Sequence, residues 1–440
     1  MALSAIRLLA YGLSFVSGLR ELIIQAMEQS NDTRVNLTME EQFSSFIVTP
    51  LQEFASICPL ITVVLVVDGV DECPADIRPS FLSAISSGVP LLPPTVKVYL
   101  TSRPRVDMRQ CLEDLEPLRI PMTVGVGLDD GDVEHFLQHE LEKVSKVARL
   151  EKTWSASQIK RDASALASKA GGLFQWAWLL SSLLLNRVQP RDVISRILNV
   201  ETSLTPEVSL DALYTEALHI ALPEVANDVN LGQLYHQVVG TILAAKRPLT
   251  VSAICFLLKA DSDGAGGAIQ TLLVNLGCVL VVHRIRAGVL VVRIGHPSFR
   301  DYVTSQERCP PSWFIDPHLA SVQLGSRCFS VMATTLRRDI CRMGSPSVAN
   351  KDVLVTPGTV YQFIVTGLQY ACNHAFAHIE GDSENLRMLE TFLMEKLLEW
   401  LEAMTLMGLL DTAVELMQHA LAIFNQVCRA LTYPLCDPLT

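Results

Sequence analysis

The sequence predicts an α/β unit followed by an all-α region, and three observations carry that reading. Residues 61–67 form an unbroken run of apolar or β-branched side chains that stops at Asp68, Asp71 and Glu72. A short run of this kind reads as a strand buried on both faces, as in a parallel sheet with helices above and below. A second such run, Val96–Leu100, ends in Thr101-Ser102-Arg103-Pro104. From residue 128 onward the apolar spacing is mostly that of amphipathic helices.

Composition bounds the rest. The chain has 440 residues, 49% hydrophobic and 18% charged, so it can bury large cores and is expected to form two to four units. The net charge of −11, from 35 basic and 46 acidic residues, argues against general nucleic-acid binding. Eleven scattered cysteines without a C-x-x-C pair fit the reduced thiols of a cytoplasmic protein better than a disulfide framework. The apolar stretch 1–18 carries Arg7 inside it, and its helical period runs on through Leu19, Leu22, Ile23 and Met27, so it reads as a helix and not a leader. Asn31-Asp-Thr33 and Asn36-Leu-Thr38 match the glycosylation tripeptide, a pattern common by chance. No apolar run reaches the roughly 18 residues of a membrane span.

In chain order, helices are expected over 5–15, 18–28 and 39–54, the third capped by Asn36-Leu-Thr38 with Glu40 and Glu41 in its first turn. After the first strand Asp76 can cap a helix through Phe81, Leu82 and Ile85, which Pro90, Pro93 and Pro94 end. A short helix over 105–115 and a last strand over 118–126 follow the second strand. Asp129 or Asp130 caps a helix with Val133, Phe136, Leu137 and Leu141 on one face. Helix 158–169 leads into Gly171-Gly172-Leu173-Phe174 and the apolar helix 175–185. Helices over 231–245, 251–258 (capped by Thr250) and 268–276 precede a hairpin of strands 278–282 and 289–294 over the turn 284–288, a winged-helix pattern. The third of those helices has no Lys or Arg, which speaks against DNA reading by it. Helices over 318–332, 360–377, 386–407 and 412–428 close the chain, and no repeat with a period of 20–50 residues is present.

The two strand ends together resemble the Walker B and sensor 1 segments of NACHT-type P-loop NTPases of the STAND class. The nephrocystin-3-like NACHT module of fungal NOD-like receptors is the nearest likeness. The resemblance implies that Asp68 orders Mg²⁺, that Asp71 and Glu72 help place the metal and the attacking water, and that Ser102 and Arg103 lie toward the γ-phosphate. Gly172 and Leu173 resemble the Gly-Leu turn of the family's helical lid. His296-Pro-Ser-Phe299-Arg-Asp301 resembles the H-x-S-F-x-D form of its histidine motif, in which the histidine, here His296, contacts the β-phosphate of ADP. Leu336–Cys341, Tyr370-Ala-Cys372 and Leu397–Leu401 also look family-like. The implied architecture is a partial NACHT nucleotide-binding domain (1–127), a helical lid (128–205), a winged helix (206–305) and a helical extension (306–440). Mg-ATP and ADP are the implied cofactors. A self-oligomer or other protein partners are expected, with no nucleic acid and no membrane.

One departure governs the functional expectation. Nothing in the 440 residues matches G-x-x-x-x-G-K-[ST], whose backbone amides cradle phosphates. The resemblance begins after the phosphate-binding half, so the expected fold is a truncated P-loop NTPase sheet and the expected member is degenerate for hydrolysis. Two functions follow: a scaffold acting through protein contacts, or a nucleotide switch whose P-loop lies in a missing N-terminal part. Structural alternatives stay open at each site. Asp68, Asp71 and Glu72 can be a polar turn, Arg103 can pair with Asp71, His296 can be satisfied by backbone, and a C-cap glycine accounts for the Gly-Leu turn. Trp176 and Trp178 read as core. Ser86, Ser87 and Ser102 have no histidine beside them in sequence to make a nucleophile, and His374 and His378 lack an evident third zinc ligand.

Overall fold

The computed structural model describes residues 5–32, 37–73, 77–103, 106–113, 130–150, 153–185, 189–199, 205–225, 228–260, 265–284, 289–344, 357–379 and 383–432. The chain divides into two compact units, Met1–Val124 and Gly125–Thr440.

In the first unit, helices α1 (Ala5–Leu13), α2 (Arg20–Asp32) and α3 (Met39–Phe43) occupy the expected places. Thr38 caps α3 in a full capping box: its hydroxyl accepts from Glu41 N, and Glu41 Oε2 accepts from Thr38 N at 2.8 Å. The single helix expected over 39–54 is instead interrupted. A wider π-type turn spans Ser44–Val48 before α4 (Thr49–Ile57) resumes. Pro50 has no N–H to give the ladder and its ring crowds the preceding turn, and the Thr49 hydroxyl reaches back to Ser44 O at 3.1 Å.

Strands β1 (Val63–Val67) and β2 (Val96–Leu100) pair in parallel, Val63 opposite Val96 and Val67 opposite Leu100. Helix α5 (Arg78–Gly88) lies between them in sequence and α6 (Val106–Glu113) follows. α5 begins with Ile77 as its N-cap and no side-chain cap. Asp76 and the expected strand over 118–126 lie outside the described residues. One face of the sheet, with Val63, Leu65 and Val96, packs into a core with Phe43, Phe46, Phe81 and Ile85. The expectation of burial on both faces fails. Val64 and Val66 are 56% and 59% exposed, because among the described residues only two strands pair and one helical layer covers them. β1 therefore alternates in burial like a half-covered strand.

The second unit is helical apart from a small antiparallel sheet. It runs through α7 (Asp130–Val147), α8 (Ala156–Ala170), α9 (Phe174–Leu185), α10 (Pro190–Asn199), α11 (Pro206–Ala221) and α12 (Val229–Ala244). The sequence reading did not assign α10 or α11. Next come β3 (Leu249–Thr250), α13 (Val251–Leu257), α14 (Ala265–Asn275), β4 (Leu280–Arg284) and β5 (Leu290–Ile294), with sheet order β3-β5-β4. Thr250 caps α13 as expected, accepting from Ala253 N at 2.9 Å. β3 is too short to leave a period-2 trace in the sequence, and the hairpin turn at 285–288 lies outside the described residues.

Helices α15 (Pro297–Val303), α16 (Pro317–Thr335), α17 (Pro357–Phe363), α18 (Thr366–His374), α19 (Ser383–Glu395), α20 (Leu397–Leu406) and α21 (Leu410–Thr432) complete the unit. The two long helices expected over 360–377 and 386–407 are each broken, at Val365 and at Lys396. Val365 takes an extended conformation, and Lys396 is drawn aside by Leu336 O, which its ammonium meets at 2.9 Å. The segments 128–205, 206–305 and 306–440 share one hydrophobic core, from Val133 to Ala420. Among the described residues no helix is long and apolar enough to cross a membrane, and the described cysteines are free thiols.

Candidate functional site

The parallel register of β1 and β2 brings their carboxyl ends side by side, where ligands sit in α/β sheets. Asp68 therefore stands beside Thr101, and Asp71 beside Arg103. The Thr101 hydroxyl donates to the Asp68 carboxylate and accepts from Gly69 N at 2.8 Å. Thr101 N donates to Val67 O and Val70 N to Thr101 O, each at 3.0 Å, which extends the ladder one residue past the strands. Gly69 sits at φ +66°, and a Cβ there would lie 3.3 Å from the Glu72 carboxyl carbon. A glycine thus lets the chain turn left-handed directly after Asp68 and lets Glu72 fold over it.

Asp71 is more deeply placed. Its carboxylate accepts from Arg103 N at 3.0 Å and pairs with Arg103 Nε at 3.4 Å. The Asp71 side chain is 7% exposed and that of Arg103 is 47% exposed. The ion pair weighed as an alternative in the sequence is therefore formed. Ser102 Oγ donates to its neighbour's carbonyl, Arg103 O, at 2.8 Å. Asp68, Glu72, Ser102 and Arg103 are exposed and Asp71 is partly covered. Thr101 is the site residue that sequence reasoning passed over. Its position at the end of β2, opposite the acid that ends β1, was the available signal.

Among the described residues no group of three or more His, Cys, Asp or Glu could form a metal cage. The donor set at the strand ends is one exposed carboxylate, Asp68, with Glu72 nearby. That set fits a Mg²⁺ ion held mainly by phosphate oxygens and water. The chain supplies no Gly-rich loop to hold those phosphates.

In the second unit, His296 is the N-cap of α15. Its Nδ1 accepts from Ser298 N at 3.2 Å and lies 2.6 Å from Ser298 Oγ. Ser298 Oγ meets Tyr214 OH at 2.9 Å, and Gln175 Nε2 donates to the same hydroxyl at 3.4 Å. A chain of polar contacts thus runs from the first turn of α9, just past Gly171-Gly172-Leu173, to the histidine. Gly171 caps α8 in the left-handed conformation. A Cβ on Gly295, the residue before His296, would lie 3.5 Å from the Trp178 ring and 3.1 Å from Val279 O. The tight approaches are Val279 O and, at 3.2 Å, Val281 Cγ2, so glycine lets the end of β5 pack closely on the segment entering β4. Trp176 is core at 1% exposure, whereas Trp178 is 36% exposed. Burial raises the Tyr214 hydroxyl above its ordinary pKa, so it stays a neutral hydrogen-bonding group.

His374 and His378 do not form a metal pair. His378 Nε2 meets Tyr370 OH at 2.9 Å and its Nδ1 meets Ser321 Oγ at 3.1 Å, and it has no solvent exposure. Tyr370 OH also accepts from Lys246 N at 3.1 Å. One ring nitrogen donates and the other accepts, so the neutral ring is satisfied on both sides by the Tyr370 and Ser321 hydroxyls.

No family model matches the chain. Over 391 residues it is 21% identical to the vegetative incompatibility protein HET-E-1 of Podospora anserina, covering 83% of this chain and 27% of that protein. The chain thus spans 27% of the length of the curated relative it matches.

Proposed function

We propose that this chain is the core of a NACHT- and NOD-like-receptor-type signalling protein, degenerate for ATP hydrolysis and acting through protein–protein contacts. On this reading residues 206–305 are a winged helix and the helices before and after it are the lid and the extension. The observation that carries degeneracy is the state of Asp71 together with the missing phosphate loop. Its carboxylate already satisfies the Arg103 backbone and guanidinium. Those contacts occupy part of the carboxylate's accepting capacity and hold the guanidinium toward it, which weakens Asp71 as a base or metal ligand and Arg103 as a phosphate-facing cation. Kinship with a protein of vegetative incompatibility favours a signalling role.

A second reading has one observation in its favour. Asp68 and Glu72 lie exposed at the sheet end, with Asp68 held by Thr101. If residues outside these 440 supply a phosphate cradle, those carboxylates are placed to order Mg²⁺, which would offset charge on the phosphates. Ser102 would then be a phosphate contact. Single-turnover phosphate release from Mg-ATP separates the two. The degenerate core releases none above a Glu72→Gln/Asp71→Asn variant. In a longer chain that includes such a cradle, release that this variant abolishes establishes the second reading.

A further inference from the structure

The second unit carries a shelf that neither a nucleotide nor the strand-end chemistry uses. The loop 336–344 is strapped along α20 at two points. Lys396 Nζ donates to Leu336 O at 2.9 Å, and the Glu402 carboxylate accepts from Asp339 N and Ile340 N, both at 3.2 Å. The loop is also closed on itself. Asp339 has φ +53°, and its carboxylate accepts from Met343 N at 2.5 Å and Gly344 N at 3.0 Å. Its interior is anchored by the buried Leu336, Ile340 and Cys341.

This fixed loop presents Arg337 and Arg338 to solvent, and among the described residues neither has an ion-pair or hydrogen-bond partner. Arg342, also exposed, lies over the Phe363 ring at 5.6 Å. Leu398 stands four residues before Glu402, on the helix face that meets the loop, yet it is 77% exposed. Met394, at the end of α19, is 83% exposed. Glu395 and Glu399 are the acids beside these side chains and weaken the local field, but two guanidinium groups on a pinned backbone remain uncompensated. The shelf holds as many acids as cations, but Asp339 and Glu402 are turned to backbone N–H groups, which leaves Arg337 and Arg338 as open cations beside the open apolar side chains. Guanidinium groups favour carboxylates in paired geometry, and exposed apolar groups rimmed by charge mark docking sites.

The geometry points to this shelf as the docking site for an acidic amphipathic segment of a partner protein, its carboxylates on Arg337 and Arg338 and its apolar face on Leu398 and Met394. The loop is preorganised, so binding orders little of this chain.

The test is fluorescence anisotropy with the full 440-residue chain and a labelled helical peptide of glutamates with leucines along one face. The same peptide with lysine in place of every glutamate is the counter-probe. The acidic peptide is expected to bind and to weaken steeply with salt. Arg337→Glu/Arg338→Glu and, separately, Leu398→Ser each lower its affinity by about tenfold or more with an unchanged thermal melt. Lys160→Glu/Arg161→Glu, an equal charge change on the exposed face of α8, leaves it alone. Equal loss from the α8 variant, or no preference for the acidic peptide, overturns the proposal. Concentration-dependent self-association abolished by Arg337→Glu/Arg338→Glu also overturns it, since the occupant would then be a second copy.

Discussion

Asp68 in the first unit and His378 in the second are both polar groups held by a neighbour's hydroxyl, in opposite surroundings. Asp68 ends a strand of a two-stranded sheet whose outer face is open, and it is itself exposed. His378 sits in the shared core with no exposure, between Tyr370 and Ser321. The first arrangement keeps chemistry within reach of solvent and stakes little stability on it. The second stakes a good deal of stability and offers no chemistry. A polar group in low dielectric is costly to charge or to leave without a partner, and a solvated one is not.

The largest expected effect of that contrast is with acid. Burial, with the nearby charge of Lys246, pushes His378 down to about 3, and burial with the charges of Arg247 and Lys246 pushes His374 down to about 4, from an ordinary value of 6.5. Both stay neutral in the folded chain while the unfolded chain takes up protons, so stability is full above about pH 6.5 and falls toward pH 3. A loss of a few kcal/mol by pH 4 is expected from denaturant titrations followed by the second unit's tryptophans. The slope shrinks in a His378→Asn variant. A slope unchanged in that variant would place the acid sensitivity elsewhere.

Tyr370→Phe is next. It removes the acceptor of Lys246 N–H and the hydrogen-bond partner of His378 Nε2 together, and about 1–3 kcal/mol is expected from equilibrium unfolding. In the first unit Asp71→Ala, which leaves Arg103 N–H without its carboxylate, is expected to cost about 1 kcal/mol because the guanidinium side of the pair is half in water. Thr101→Val is expected to cost about 0.5–1 kcal/mol, with Thr101→Ser recovering most of it. If Thr101→Val proved as costly as Tyr370→Phe, the contrast between an open and a closed site would be wrong.

The strand-end site was legible because its parts are contiguous. The run 61–67 with its acids and the run 96–100 with Thr101-Ser102-Arg103 needed only parallel pairing to meet, and the register brings them together. The half-covered sheet was not legible, since an apolar run such as Val63–Val67 looks the same whether one or both of its faces find a layer to pack on. The break at Lys396 and the π-type turn at Ser44–Val48 were hidden for a related reason. Apolar spacing survives a one-residue interruption, and the cause at Lys396 is a carbonyl sixty residues earlier in the chain. The histidine network joins Lys246 of the loop before β3, Ser321 of α16, Tyr370 of α18 and His378 of the 3-10 turn Ala375–His378, so no local pattern could announce it.

The most direct test of the central claim, a NACHT-related core that no longer turns over nucleotide, is equilibrium binding of labelled ADP and Mg-ATP to the 440-residue chain beside an Asp68→Ala/Arg103→Ala variant. The account predicts no saturable binding up to about millimolar nucleotide, weaker than about 4 kcal/mol of binding free energy. Micromolar binding lost in the variant would contradict it and show that the strand-end site works without a phosphate loop.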